Sequence, residues 1–447
     1  MPGKLAEVMW PALVASKILN KRLGSSNFVA DYPSNTEPLL GITSDDHSSL
    51  SVKTILNDHE DTQKCKVFIS TWNVGGIAPD EGLNMEDLLE TCNKSYDIYV
   101  LGFQEIVPLK ASNVLGSENS KICSKWNTKI REALNKREHQ SCNCEDQQDS
   151  KNIGCNKEGY NPAQQCEAPQ NFQCIISKQM VGILISVWAK SDLRPFIRHP
   201  SVSCVGCGIM GCLGNKGSVS VRFVLHETSF CFVCSHLASG GREGDEKHRN
   251  SNVAEIFSRT SFPRGPMLDL PEKILDHDHV VLLGDLNYRI SLPEETTRSL
   301  VENRDWDSLL ENDQLMMERM SGNMLRGWHE GAIKFAPTYK YCPNSDMYYG
   351  CCYHGKNAAK RRRAPAWCDR IIWFGNGLKQ IQYARSESKL SDHRPVKALF
   401  IAEVRVSRAL KNFQSLFLSE RFQQIKNHFE VTPADEFVFK KQPSFRW

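Results

Sequence analysis

Residues 280–289 read VVLLGDLNYR: a short apolar run, a glycine, then Asp285 and Asn287 two positions apart. A run this short, bounded by turn residues, has the pattern of a buried strand rather than a helix. The polar residues after it stand where a sheet delivers side chains to its rim. The same pattern recurs in VFIS (67–70), IYVLGF (98–103), VGILISVW (181–188), VSVRFVL (219–225), FCFVC (230–234), IIWF (371–374) and VKALFI (396–401). Helix-like segments lie between some of these runs, most clearly at 243–260 and 292–303, each with acidic residues early. Strands outnumber helices, and many follow one another directly. The expected class is therefore α/β (α+β), with sheets packed face to face and helices outside, rather than a doubly wound parallel sheet.

The chain has 447 residues, 40% hydrophobic and 24% charged, which is ordinary for a globular protein with a sizeable core. Length alone suggests two or three domains or one large one. A net charge of +3 gives no global attraction to nucleic acid or membrane, so any basic function must be local. The longest apolar run, MVGILISVWA (180–189), is too short to span a bilayer, and the N-terminus lacks the core of a signal peptide. With 17 cysteines, an odd number, and several of them inside strand-like runs, reduced thiols and a cytoplasmic protein are expected.

Residues 8–22 have the pattern of a short amphipathic helix docked on the surface, and 31–63 that of a polar linker. Residues 139–173 break the rhythm of the chain: they are polar, and Cys142, Cys144, Cys155 and Cys166 fit no common zinc spacing. They are expected to be a solvated insertion. The segment LKNFQSLFLSERFQQI in the tail has a second amphipathic pattern.

Five motifs end strand-like runs: STWN (70–73), GFQE (102–105), SHLASG (235–240), GDLNYR (284–289) and SDHRP (391–395). Each polar residue taken singly has a plain explanation as a cap, a turn former or a satisfied core residue. Together, Asn73, Glu105, His236, Asp285, Asn287, Asp392 and His393 form a set suited to metal-assisted attack of water on phosphorus. In an extended GDLN segment Asp285 and Asn287 would share a face, one to take a proton from water and one to hold it. Asp392 and His393 would point opposite ways. Glu105 is the best ligand for a hard cation such as Mg²⁺. Other phosphatase chemistries are absent: no cysteine is followed by arginine six positions on, no P-loop occurs, and Asp276–Asp278 precedes its strand.

In this order the motifs resemble the endonuclease/exonuclease/phosphatase superfamily, whose fold is a four-layered α/β sandwich. LGNKGSVSVRF (213–223), LLGDLNYRI (282–290), APTYKY (336–341) and RAPAWCDRII (363–372) are similar to its Mg²⁺-dependent inositol polyphosphate 5-phosphatases, with the plant type I members as the expected subgroup. The resemblance implies an N-terminal extension (1–63), a catalytic domain (64–406) with an insertion near 111–173, and a tail (407–447). It implies Glu105 and Asn73 at the metal, with Asp392 supporting that shell. Asp285 would be the base and Asn287 would orient the water. His236 and His393 would bind the scissile phosphate, with Asp369 fixing the His393 tautomer, while Arg370 would serve structure.

The leaving group would be a sugar-like alkoxide of high pKa, which Mg²⁺ or a bound water must neutralise. The run KRRR (360–363) taken alone could be a nuclear address, a nucleic-acid patch or a grip on a polyanion. The resemblance favours the grip: Tyr339, Lys340, Arg361 and Arg363 would hold the phosphate beside the one removed, with Asn215 and Lys216 adding contacts. A nuclear pool remains a second use of the run. Expected partners are inositol polyphosphates and, through peripheral membrane contact by loops such as 77–83 and 205–213, phosphoinositide lipids. No nucleic acid is expected. A nuclease or sphingomyelinase of the same superfamily, and a non-catalytic phosphoinositide-binding scaffold, are the alternatives.

Overall fold

The computed structural model describes residues 27–31, 61–91, 95–115, 120–136, 171–208, 211, 213–265, 269–350 and 363–406. One compact unit comprises 1–44 and 64–404, and a second comprises 45–63 and 405–447. Nearly all described residues belong to the first, and the account is of that unit. The two amphipathic segments, the four insertion cysteines and Arg361 lie outside the described residues.

Eleven strands among the described residues form two sheets. They are β1 (Asp61–Asn73), β2 (Ile98–Gln104), β3 (Phe172–Met180), β4 (Ile183–Lys190), β5 (Ile197–Gly206), β6 (Gly217–Leu225), β7 (Thr228–His236), β8 (His279–Asp285), β9 (Asp369–Phe374), β10 (Leu378–Arg385) and β11 (Val396–Val406). One sheet runs β10-β11-β1-β2-β4-β3 and the other β5-β6-β7-β8-β9. All eight apolar runs read from the sequence are strands. Each sheet contains one parallel pair, β1 with β2 and β7 with β8. Parallel neighbours end at the same rim, and that is what gathers the site.

Between the sheets lies an apolar layer that includes Ile69, Val100 and Ile185 from one side and Val219, Phe232, Leu283 and Ile371 from the other. The sheets approach closely at Gly102, where an added Cβ would lie 2.8 Å from both Cys234 Sγ and Leu283 Cδ1. On the outer face of the first sheet lie helices α1 (Met85–Leu89), α2 (Ala111–Leu115) and α3 (Ser120–Asn135). Trp126 and Ile130 of α3 pack there on Phe103 and Trp188. On the second sheet, Val253 and Ile256 of α4 (Asp245–Arg259) cover Cys231, Val233 and Leu282. Helices α5 (Glu294–Glu302), α6 (Trp306–Leu310) and α7 (Gln314–Met320) follow β8. The order helix–sheet–sheet–helix is the four-layered sandwich.

Two expectations change. The span read as an insertion (111–173) contains α2 and α3, and Trp126 is fully buried, so its first part belongs to the packed domain. The lead-in is also partly docked. Val29 exchanges backbone hydrogen bonds with Ser177 on edge strand β3, and Asp31 takes a bidentate ion pair from Arg131 at 2.6 and 2.8 Å. An extra bridge on an edge strand satisfies donors and acceptors that would otherwise invite foreign pairing.

Candidate active site

Strand register builds the site. In the first sheet, Asn73 pairs with Gln104 at the ends of β1 and β2, which puts Glu105 beside Asn73. In the second, His236 pairs with Asp285 at the ends of β7 and β8. Asp369, the first residue of antiparallel β9, lies opposite Asp285. Gly217, the first of β6, lies opposite His236 and brings Lys216 to the same rim. Gly284 has φ +144°, and a Cβ there would meet Ser235 O at 1.9 Å, so only glycine lets β8 close on β7 before Asp285.

The side chains converge on Asp285. Its Oδ2 accepts Asn73 Nδ2 at 3.0 Å, lies 3.2 Å from His236 Nε2 and is 4.0 Å from His393 Nε2. Burial disfavours the Asp285 charge, yet the His236 hydrogen bond and the His393 charge outweigh it and hold the carboxyl far below its ordinary range. His393 is the cation of the pair. Burial opposes its charge, but the Asp369 carboxylate, 2.8 Å from Nδ1, raises it to about 9. Asp369 is held in turn by Thr338 Oγ1 at 2.7 Å. His236 is the neutral one: burial, then the neighbouring lysine charge, hold it below its usual value, and Lys216 Nζ lies 2.5 Å from its Nε2. Both histidines are buried near carboxylates, but the lysine charge beside His236 adds to burial while nothing cationic among the described residues offsets Asp369 at His393, so the two shift in opposite directions.

The GDLN segment is not extended. After Asp285 the chain turns, Asn287 adopts φ +58°, and its backbone N–H donates to Asp285 Oδ1 at 3.1 Å. The two residues meet through this turn rather than through a shared strand face. The Asn287 amide is fixed by Leu237 O at 3.2 Å and by Arg289 Nη2 at 2.6 Å. Arg289, the last letter of GDLNYR, was not a candidate from the sequence. It stacks over the Tyr339 ring at 4.5 Å, and that ring packs on His393 at 4.5 Å.

Asp392 diverges from His393 as expected, but it forms an ion pair with Lys340. Arg370 is buried and bridges Asp313 (2.8 Å) and Glu330 (2.7 Å), a structural tie as expected. Arg363 is exposed at the mouth, and Asn215 lies on the loop against Gly208.

A metal would find oxygen donors here. Asp285, Asp369 and His393 lie close enough to share an ion, but His393 and Asp369 are already bonded to each other. Glu105 fits better. It is held in the left-handed region (φ +55°) by Gly76 N–H on its carbonyl, and its carboxylate lies 3.8 Å from His236 with the charge of Lys216 nearby. A carboxylate held in strained backbone and not bound in a close ion pair to Lys or Arg among the described residues suits a hard cation.

A family model, endonuclease/exonuclease/phosphatase family 2, matches residues 70–399. An Arabidopsis thaliana protein named type IV inositol polyphosphate 5-phosphatase 9 is 63% identical, covering 93% of this chain and 96% of its own. Type I inositol polyphosphate 5-phosphatase 8 of the same plant is 46% identical, over 88% and 86%. The expected type I subgroup is therefore not supported, since the 63% relative carries the type IV designation.

Among solved structures, the inositol polyphosphate 5-phosphatase domain of spSynaptojanin, in complex with inositol (1,4)-bisphosphate and calcium ion, has 28% identity and a TM-score of 0.62, covering 83% of this chain and 94% of that one. A Cimex nitrophorin at 18% identity and TM-score 0.52 covers 76% and 99% and shares the fold alone. Matched by the family model over most of its length and 63% identical to a relative of that name, the chain belongs to the inositol polyphosphate 5-phosphatases of the endonuclease/exonuclease/phosphatase family.

Proposed function

We propose that the protein hydrolyses the 5-phosphate of inositol polyphosphates, with inositol 1,4,5-trisphosphate as the reference substrate. The observation that carries the proposal is the split between neutral His236 and cationic His393 around anionic Asp285. That arrangement offers a proton acceptor beside two groups able to bind a phosphoryl oxygen. Asp285 takes the proton of the attacking water, and Asn287, fixed by Arg289, has an amide N–H left to hold that water. His393, kept protonated by Asp369, donates to the phosphate and stabilises the charge that grows there. Lys216 joins His236 in that role. A dianion entering beside His393 competes with Asp285 for its charge and so makes Asp285 a stronger base in the complex than in the free protein.

Glu105 and Asn73 would hold a divalent cation, for which we favour Mg²⁺ on the hardness of the donors, and such an ion would supply positive charge to offset that of the departing alkoxide. Tyr339, Lys340, Arg361 and Arg363 receive the adjacent 4-phosphate. Lys340, between the rings of Tyr339 (5.4 Å) and Tyr349 (5.3 Å), is held by Asp392 for that purpose. Inositol (1,4)-bisphosphate, present in the spSynaptojanin complex, is by composition inositol 1,4,5-trisphosphate less its 5-phosphate.

Phosphoinositide lipids are a further substrate class, reached through exposed apolar residues such as Ile77. Cytoplasmic residence is proposed from cysteine usage: Cys65, Cys174, Cys231, Cys234 and Cys368 are buried free thiols. Residues 64–406 are proposed as the catalytic domain, with the extension and tail outside the chemistry.

The test is phosphate release from inositol 1,4,5-trisphosphate with Mg²⁺ and with EDTA. Asp285→Asn, nearly isosteric, is expected to lose about 10²–10⁴-fold in kcat with the fold retained. Turnover retained in that variant removes Asp285 as the base.

A further inference from the structure

A cleft of about 480 Å³ adjoins the site beyond Tyr339, with Arg242, Arg289, Arg363 and Ala366 on its wall. It is joined to the site by Arg289, which stacks on Tyr339, and by Ala366, whose backbone pairs with that of Tyr339. The two carboxylates on the wall are already engaged. Glu294 is held by Arg298 Nε at 2.8 Å, and Asp245 Oδ2 accepts the Arg242 backbone N–H at 2.8 Å. Among the described residues, the guanidinium groups of Arg242 and Arg363 have no hydrogen-bond or ion-pair partner.

The loop that carries Arg242 is pinned to α4 at two positions just before it. Ala238 N–H donates to Asn252 Oδ1 (3.0 Å), and Arg249 Nη1 donates to Gly240 O (3.2 Å). Gly240 is closed against Asp245, whose Oδ2 would be 2.2 Å from an added Cβ. A cation presented on so fixed a loop loses little freedom when it binds an anion.

Carbons 5, 4 and 3 of the inositol ring are consecutive. With the 5-phosphate between the two histidines and the 4-phosphate at Tyr339 and Lys340, a 3-phosphate is the next group to reach past Tyr339, whereas the 1-position lies across the ring from carbon 4. Resting on the activity proposed above, we propose that Arg242 is a specificity residue that binds a 3-phosphate, so that substrates with adjacent 3-, 4- and 5-phosphates are preferred. The chemistry is the same on a free inositol phosphate and on a lipid headgroup.

The experiment compares kcat/KM on inositol 1,3,4,5-tetrakisphosphate and inositol 1,4,5-trisphosphate for the full chain, Arg242→Ala and Lys247→Ala. Lys247 is exposed on α4 and off the cleft wall, so its variant removes equal charge without the contact. Arg242→Ala is expected to lose about tenfold on the tetrakisphosphate, chiefly in KM, and less than about twofold on the trisphosphate. Lys247→Ala should leave the ratio unchanged. Equal losses on both substrates, no loss, or an equal shift in the Lys247 variant, found for the soluble pair and for the lipid pair described next, overturns the assignment.

The same ratio measured on short-chain phosphatidylinositol 3,4,5-trisphosphate and 4,5-bisphosphate assigns the source, and a shift in either pair supports the subsite. Wild-type protein that releases phosphate from none of the four overturns the activity itself, a result distinct from an unshifted ratio.

Discussion

Replacing Asp369 with Asn should convert a site that works across neutral pH into one that works only in acid. Asp369 Oδ2 lies 2.8 Å from His393 Nδ1 and takes Thr338 Oγ1 at 2.7 Å. Asn keeps the shape and an acceptor oxygen but removes the charge. Burial penalises the imidazolium and the Asp369 charge is the largest influence that opposes it, with Asp285 and Asp392 behind it, so without that charge His393 falls from about 9 toward neutrality. A histidine brought down to the ordinary 6.5 is protonated near pH 7.5 in about one molecule in eleven, so kcat/KM should drop by up to about tenfold and recover on acidification. In the wild type the alkaline limb should lie near 9.

Stability should follow the same group. Its folded pKa is raised, so its contribution is complete below 6.5 and is lost as pH rises through about 9. At 1.36 kcal/mol per pH unit that amounts to roughly 3 kcal/mol. The assays are kcat/KM against pH, imidazole chemical shifts against pH, and urea denaturation at the two ends of the window. A loss of activity equal at every pH, or an alkaline limb that stays near 9 in the variant, would refute the reasoning.

Two further outcomes test the neighbouring groups. Glu105→Gln should weaken Mg²⁺ binding measured by calorimetry by about 10–100-fold while the fold is retained, since the carboxylate's described contact with a ring nitrogen, that of His236, is as long as 3.8 Å. Unchanged affinity would remove Glu105 from the metal. Arg370→Met strands the buried carboxylate of Asp313, while Glu330 keeps Arg319 at 3.1 Å, and should cost about 3–5 kcal/mol in urea denaturation. Burial already raises Asp313, so acidification should return part of that loss by protonating it, and a cost under about 1 kcal/mol would show that the tie contributes little.

The apolar runs told the strands apart from the helices because interior strands are buried on both faces and read as continuous hydrophobic stretches. The three strands that were missed, β3, β5 and β10, are all sheet edges. LKQIQYAR of β10 is half-exposed along its length, and IRHPSVSCVG of β5 carries a proline and a histidine, so neither has the pattern of an interior strand. Site residues were legible where they close a strand, as with Asn73, His236 and Asp285.

The geometry of Asp285 and Asn287 was not legible, because the pattern assumed an extended segment and the left-handed turn at Asn287 appears only once its amide finds Leu237 and Arg289. Arg289 itself was in view within GDLNYR, but nothing local to a strand end says that an arginine will lie over Tyr339, 50 residues on. The Lys340 pairing of Asp392 was hidden for the same reason: its partner is distant in sequence.

Asn73 and Glu105 come from one sheet, Asp285, His236 and Asp369 from the other, and the two meet across a core so thin at Gly102 that a methyl group would not fit. During refolding, therefore, each half of the reactive centre can be complete while the whole is inert. A collapsed intermediate with both sheets formed but loosely apposed would show native secondary structure and no turnover. Recovery of activity should consequently lag recovery of far-ultraviolet ellipticity, and the delay is a direct clock for the last event of folding, the locking of one sheet onto the other.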